Sequence, residues 1–413
     1  MRRALSAATS RASSKAPTPE PEGSTAGSSI DLDDESVGKA VPKEQKAGWA
    51  AFIKSVASCA GDLSSLTAPS FILSPVSLTE FPAYWCEHPE VFAAIRDGKT
   101  EQDRLLNVLR WFISSLKGSY TARNASMGSE KKPLNPILGE LFLGHWPGTD
   151  RYGETQLISE QVSHHPPITA FYIENAKAGV SFQGHCAQKT SFTGRAIQVR
   201  QIGHGKITFT PDGASKPETY IITLPHLVIE GLLFGSPYVE LSKTSYICSS
   251  TGLTAKIDYS GKGYFSGKAH SFKATIHETA DSLAQRPLSQ VEGSWTGESF
   301  VKSGAVASKP FWNAATPRSE LVVKPIAEQG EMESRRVWQQ VAEGIRNGDS
   351  DVASRSKAKI ENEQRSKRKN EASIGKPHQL KYFDYVDEDL DYAQFTAPLK
   401  RKEAREDTYR FKG

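Results

Sequence analysis

Large apolar side chains are nearly absent from residues 1–45, which are built mainly of Ser, Ala, Pro and Gly. Such a stretch cannot bury enough surface to offset the entropy of ordering, so it is expected to be a disordered tail. The first periodic segment follows, GWAAFIKSVASCAGDLSSL. Trp49, Phe52, Ile53 and Val56 recur at i, i+3, i+4 and i+7, one face of a short helix that Gly61 would end. Residues 69–120 read as loops and helices, with Thr79 a candidate N-cap for EFPAYWCEHPEVF and a helix around 101–117. From about 135 to 300 the period shortens to that of strands, as in KITFT (206–210), TYIITL (219–224), YVEL (238–241), SYICSS (245–250) and LTAKIDYS (253–260). Gly, Asp and Pro separate these runs, and regular short strands with tight connections predict a large antiparallel sheet closed into a barrel or sandwich. A barrel of that size is wide enough to hold a ligand. After Trp312 the pattern turns helical again, with VWQQVAEGIRNG at 337–348 and a segment charged almost all round at about 350–372. The fold class expected is mainly β, with an N-terminal helix and a C-terminal helical region at about 312–400. One domain spans 46–400.

Composition adds limits rather than a function. The chain has 413 residues, with Lys+Arg at 51 against Asp+Glu at 47, a net charge of +4. That excess is too small to indicate nucleic-acid binding from charge alone. Cys59, Cys86, Cys186 and Cys248 are widely spaced with no CxxC pair, so free thiols in a reducing compartment are expected rather than a disulfide framework or a zinc site. No run approaches the ~18 apolar residues a membrane span requires, and the N-terminus lacks the apolar core of a secretory signal. It begins MRRALSAATSRASSK, with Arg2, Arg3, Arg11 and Lys15. That resembles a mitochondrial transit peptide, whereas the acidic DLDDE at 31–35 favours a plain solvated tail.

Two clusters carry candidate chemistry. EQVSHHPP, Glu160 to Pro167, places His164 and His165 before two prolines. Neighbouring side chains on a regular strand face opposite ways, but at a strand end broken by proline both imidazoles can face one opening and donate to an anion. Taken alone, a His–His pair beside prolines is also an ordinary surface turn. The second cluster is Lys357, Glu361 and Arg365 within SRSKAKIENEQRSKRKNE. Steps of four put all three on one helix face, where Glu361 can pair with either cation and the cations can donate to phosphate oxygens. A solvated helix face accounts for the same pattern, and Lys359, Lys367 and Arg368 read as surface charges. Tandem histidines beside Ser163 also admit an enzyme, but no HExxH or GxSxG accompanies them, so neither catalysis, a metal nor a cofactor is expected.

SHHPP, together with the block GSEKKPLNPILGELF from Gly128 to Phe142, resembles the signature of the oxysterol-binding protein family. The likeness is to the short fungal members without a PH domain, and it spans roughly 47–390. The resemblance implies a barrel with a hydrophobic tunnel, a lid at 47–68, and one pocket that takes either a sterol or phosphatidylinositol 4-phosphate. By matched position, Lys132, Pro133, Leu134, Asn135, His164, His165, Lys357, Glu361 and Arg365 would hold the phosphoinositide headgroup. Leu63, Ser64, Ser65, Leu66, Thr67 and Ala68 would lie against that lipid from the lid. Trp49, Phe52, Tyr120 and Gln201 would meet an ergosterol-like sterol, along with Ser119 and Cys186, where sterol-binding relatives carry amides. The implied function is non-vesicular lipid exchange by a cytoplasmic monomer that docks transiently on Golgi and endoplasmic reticulum membranes. A phosphoinositide sensor that sequesters lipid without moving it is the alternative.

Overall fold

The computed structural model describes residues 46–59, 63, 73–121, 131–234, 236–261, 268–302, 308–376, 378–400 and 407–413. Helix α1 (Lys46–Ser58) has the predicted one-sided character: Trp49, Phe52 and Ile53 are half-buried, Val56 is buried, and most other positions are exposed. A 3-10 helix, Leu78–Cys86, is capped by Ser77, whose side chain accepts from the Thr79 backbone N–H. Thr79 is therefore inside the first turn rather than its cap. After the short α2 (Pro89–Ala93) comes α3 (Glu101–Tyr120), opened by a reciprocal capping box between Thr100 and Asp103. Every residue of α3 from Trp111 to Leu116 is buried. A helix segment buried on every side belongs in a core, and here Trp111 meets Phe182 edge-on at 4.7 Å while Phe112 stacks on Trp85 at 6.1 Å.

β1 (Leu73–Ser77) and β2 (Lys132–Leu134) form a small parallel pair. The body is one 15-stranded antiparallel sheet. Its first strands are β3 (Leu141–Thr149), β4 (Gly153–His164), β5 (Pro167–Asn175), β6 (Val180–Phe192), β7 (Ile197–Ile202) and β8 (His204–Phe209). Next come β9 (Glu218–Thr223), β10 (His226–Glu230), β11 (Tyr238–Ser242), β12 (Thr244–Ser249) and β13 (Thr254–Ser260). β14 (Ser271–His277), β15 (Ser289–Ser294), β16 (Glu298–Lys302) and β17 (Lys309–Asn313) complete it, so the sheet runs across the boundary expected near 312. The strand runs read from the sequence fall within β8, β9, β11, β12 and β13 to about a residue. The seam of the barrel is closed by residues 314–333, which bond to Gly297, to Glu87, and reciprocally between Val322 and His145.

The sheet forks at β6. Its first half pairs with β8 and its second half with β7. Gly203 lies between those two partners with φ +104°, and a Cβ there would stand 2.2 Å from the His185 carbonyl oxygen. Only glycine fits this approach. One arm continues through β9 and β12 to β17, the other through β10 to β11. The cavity lies against the second of these arms, where β7, β10 and β11 line it together with β5 and β6.

Beyond the barrel, α4 (Ser334–Val337), α5 (Gln339–Arg346) and α6 (Ser350–Ser373) follow, α6 beginning at the Asp349 cap. The chain returns through β18 (Phe383–Val386), α7 (Leu390–Thr396) and β19 (Thr408–Phe411), the two strands pairing on the outer face of β4 and β5.

Candidate lipid site

Strand alternation builds the cavity. Thr169 and Phe171 of β5, Cys186, Gln188 and Thr190 of β6, Ile197, Val199 and Gln201 of β7, and Leu227 and Ile229 of β10 all line one space of about 300 Å³. Ser119 and Tyr120 enter it because they are the last residues of α3. Trp49, Phe52 and Val56 of α1, with Leu63, cover another part of its wall. The Trp49 indole N–H donates to the Leu232 carbonyl at 3.1 Å, tying α1 to the turn after β10.

Three polar side chains of this cavity, Gln201, Tyr120 and Cys186, are linked to one another. Gln201 Nε2 donates to Tyr120 Oη and to the Pro225 carbonyl, both at 2.8 Å, and the Cys186 thiol faces Gln201 Oε1 at 3.8 Å. Burial pushes the Cys186 thiol up to about 12, so it stays neutral.

The opening has a different chemistry. Lys131, Lys132, Pro133 and Asn135 line the same cavity where Asn135 is exposed. β4 ends at His164 and β5 begins at Pro167, leaving His165 and Pro166 as the turn. Both imidazoles stand together, ring centroids 4.6 Å apart and near-perpendicular, and His164 Nδ1 is 3.0 Å from the Pro136 carbonyl. That carbonyl fixes Nδ1 as the protonated nitrogen in the neutral ring. Burial, then the charges of His165 and Arg368, hold His164 below the usual imidazole range, while the carbonyl and Glu361 act the other way. On α6 the Lys357 ammonium donates to Glu361, the pair expected from their spacing.

Behind this opening lies a buried carboxylate. Glu140 Oε1 accepts from Ser77 Oγ at 2.5 Å and Thr79 Oγ1 at 2.7 Å, and Oε2 from the Ile137 N–H at 3.0 Å and Trp338 Nε1 at 2.8 Å. These bonds join β1, the segment after β2, and the helices that precede α6. Leu134 and Ile137 pack with Trp338, Val341 and Ile360, so α6 is seated directly on the KPLN segment.

The family model described as oxysterol-binding protein matches residues 51–343. The chain belongs to the oxysterol-binding protein family. It is 58% identical over 384 residues to Protein KES1 of Mycosarcoma maydis, covering 92% of this chain and 99% of that one. Protein kes1 of Schizosaccharomyces pombe is 47% identical over 379 residues, 91% of this chain and 96% of that protein. Among solved structures, the Osh1 ORD domain in complex with cholesterol aligns with TM-score 0.68 at 21% identity, over 91% of this chain and 88% of that one. The Osh3 ORD in complex with PI(4)P from Saccharomyces cerevisiae aligns with TM-score 0.64 at 22% identity, over 85% of this chain and 90% of that chain. At such identity these two structures bear on the fold of this oxysterol-binding protein, not on its ligand.

The structure sorts the expected site residues. Trp49, Phe52, Leu63, Ser119, Tyr120, Lys132, Pro133, Asn135, Cys186 and Gln201 share one cavity wall. His164, His165, Lys357, Glu361 and Arg365 are outside that wall, at its rim or beyond. Leu134 departs from the expectation for its side chain, which turns away into the α5–α6 packing and leaves only its backbone for the opening. Arg365 donates to Asn362 at 2.6 Å instead of pairing with Glu361. Ser64, Ser65, Leu66, Thr67, Ala68 and Gly61 lie outside the described residues. Lys131, Gln161 and Arg368 are additions: the first two line the cavity and the third acts on His164. The adjacent KK was the available signal for Lys131. For Arg368, one of several cations in RSKRK, the sequence held none.

Proposed function

We propose that this oxysterol-binding protein is a lipid carrier that holds either a sterol or phosphatidylinositol 4-phosphate in one cavity and exchanges them between membranes. The observation that carries the reading is the union of two chemistries on one wall: aromatic and aliphatic side chains inside, Lys131 and Lys132 at the opening. An apolar body matches the first and a phosphorylated headgroup the second, the buried tail being what distinguishes a lipid from a free inositol phosphate. Both ligands need the same interior, so they exclude each other, and no covalent step is involved.

The headgroup is held, in this reading, by Lys132, Asn135, His164, His165, Lys357, Glu361 and Arg365. The apolar ligand is met by Trp49, Phe52, Ser119, Tyr120, Cys186 and Gln201, with 47–68 as the lid. Membrane contact is made beside that lid, where Leu233 is 57% and Phe234 89% exposed in the turn tied to Trp49. Exposed apolar side chains at an opening favour insertion between lipid headgroups. The working membranes are the cytoplasmic faces of the Golgi and endoplasmic reticulum, with the protein as a peripheral monomer.

The deciding experiment uses donor vesicles containing labelled phosphatidylinositol 4-phosphate and acceptor vesicles containing sterol. A carrier moves each lipid down its gradient and moves both faster when the two gradients are opposed. Label that leaves the donor and remains with the protein identifies a sensor, and label that never leaves refutes both.

A further inference from the structure

Glu160 opens the EQVSHHPP signature on β4, four residues before His164, yet its side chain is 1% exposed and absent from the cavity wall. Its two oxygens hold two successive backbone N–H groups of the C-terminal segment. Lys381 N donates to Oε1 and Tyr382 N to Oε2, each at 2.8 Å. These amides precede β18, whose first ladder pair is Phe383 with Phe411, and the carboxylate supplies the acceptor for each of these part-buried N–H groups. Around this grip Phe383 and Tyr409 pack on Val162 and Ala170, and Phe411 stacks on Tyr172 at 4.0 Å.

The same segment continues from the far end of α6. Only residues 374–377 separate the end of α6 at Ser373 from His378. His378 lies so close to Gly139 that a Cβ there would meet its ring at 2.5 Å. The packing of α6 is concentrated in its first half: Ala353 against Gly344, and Ile360 on the Leu134 cluster. Residues 365–370 are all exposed. The charges of Arg368 and Lys367 nevertheless act on His164 and His378, so this basic end is within electrostatic reach of both imidazoles.

We propose that Glu160 is a positioning residue for the headgroup: its carboxylate latches the C-terminal strap onto the histidine strand, and the strap holds the basic end of α6 over the opening. This rests on the headgroup reading above. Glutamine at 160 keeps one acceptor but turns an N–H₂ toward a backbone donor, which opens the grip without emptying the space.

The test uses the full chain, its Glu160→Gln variant and, independently, Lys381→Pro, which removes one donor and leaves the carboxylate. Hydrogen exchange is followed over 380–386, alongside extraction of phosphatidylinositol 4-phosphate from vesicles and uptake of a fluorescent sterol. The expected result is faster exchange in the strap, extraction weakened about tenfold, and sterol uptake within about twofold. Unchanged extraction once the strap exchanges faster overturns the latch. So does unchanged exchange in both variants, or equal loss of both ligands. If the unaltered protein extracts no phosphoinositide, the headgroup reading fails, while the exchange arm still decides whether Glu160 holds the strap.

Discussion

The interior and the opening of the cavity solve opposite problems. In the interior, Gln201 directs both amide hydrogens to Tyr120 and Pro225, and its oxygen faces a neutral thiol. Polar groups bonded to one another in this way make few demands on a ligand, and an apolar body can occupy the space without stranding a donor. At the opening, Lys131 and Lys132 line the wall, the charges of Arg368 and Glu361 act on His164, and Glu361 is paired with Lys357 on α6. Such an excess of positive charge is relieved by an anion. In the proposed reading, discrimination belongs to the opening and accommodation to the interior, and the two are built from different parts of the chain.

The sharpest way to break that division is at the histidines. Replacing both His164 and His165 by Ala removes two charge-assisted donors of about 1.5–3 kcal/mol each, so phosphoinositide extraction is expected to fall by at least about 100-fold. Sterol uptake should be unchanged. Extraction that survives the double variant would put the headgroup elsewhere.

Next in size is the exposed turn beside the lid. Changing Leu233 and Phe234 together to Asp forfeits apolar insertion worth about 1.5–3 kcal/mol per side chain when fully realised. Partial insertion makes a tenfold drop in vesicle-to-vesicle transfer a reasonable expectation, with ligand affinity in detergent unaffected. A transfer rate that does not move would detach this turn from membrane contact. In the interior the effect should be smaller: Gln201→Leu breaks two hydrogen bonds of roughly 1 kcal/mol each and should lower sterol affinity by about tenfold or less. A larger loss in a fluorescent-sterol titration would mean that the interior discriminates as well.

What the sequence made legible follows from the range of each interaction. The strands are local, set by alternation between turn residues, and β8, β9, β11, β12 and β13 stand where the apolar runs predict them. The face of α1 is equally local, and so is the Lys357–Glu361 pair four residues apart on α6. The histidine pair was legible because prolines dictate a strand end. What stayed hidden depends on partners remote in sequence. Glu140 is an unremarkable acid until folding delivers Ser77 and Trp338, which are 63 and 198 residues away. Leu134 turns from the opening because α5 covers it, and no periodicity in a three-residue strand could say so. The fork at β6 is likewise invisible, since Gly203 reads as one turn glycine among many.

The smallest expected effect separates the two regions by pH. Burial lowers His164, His277 and His378, and lowers His88 to about 4. Each is kept neutral by folding where the unfolded chain, titrating near ~6.5, takes up a proton. Their contribution to stability is therefore complete above about pH 6.5 and is lost as pH falls toward the folded values. The ligand-free protein should melt at lower temperature at pH 5.5 than at pH 7.5. A bound anion reverses the preference at His164 alone among these four, because it favours the imidazolium. An inositol sulfate ester, whose own charge is constant in this range, should then bind about two- to threefold tighter at pH 6.5 than at 7.5. Sterol affinity should be flat over the same interval, since the Cys186 thiol beside Gln201 titrates only near 12. Calorimetric titration at the two pH values reads both. Equal pH dependence for the two ligands would remove the electrostatic distinction between opening and interior.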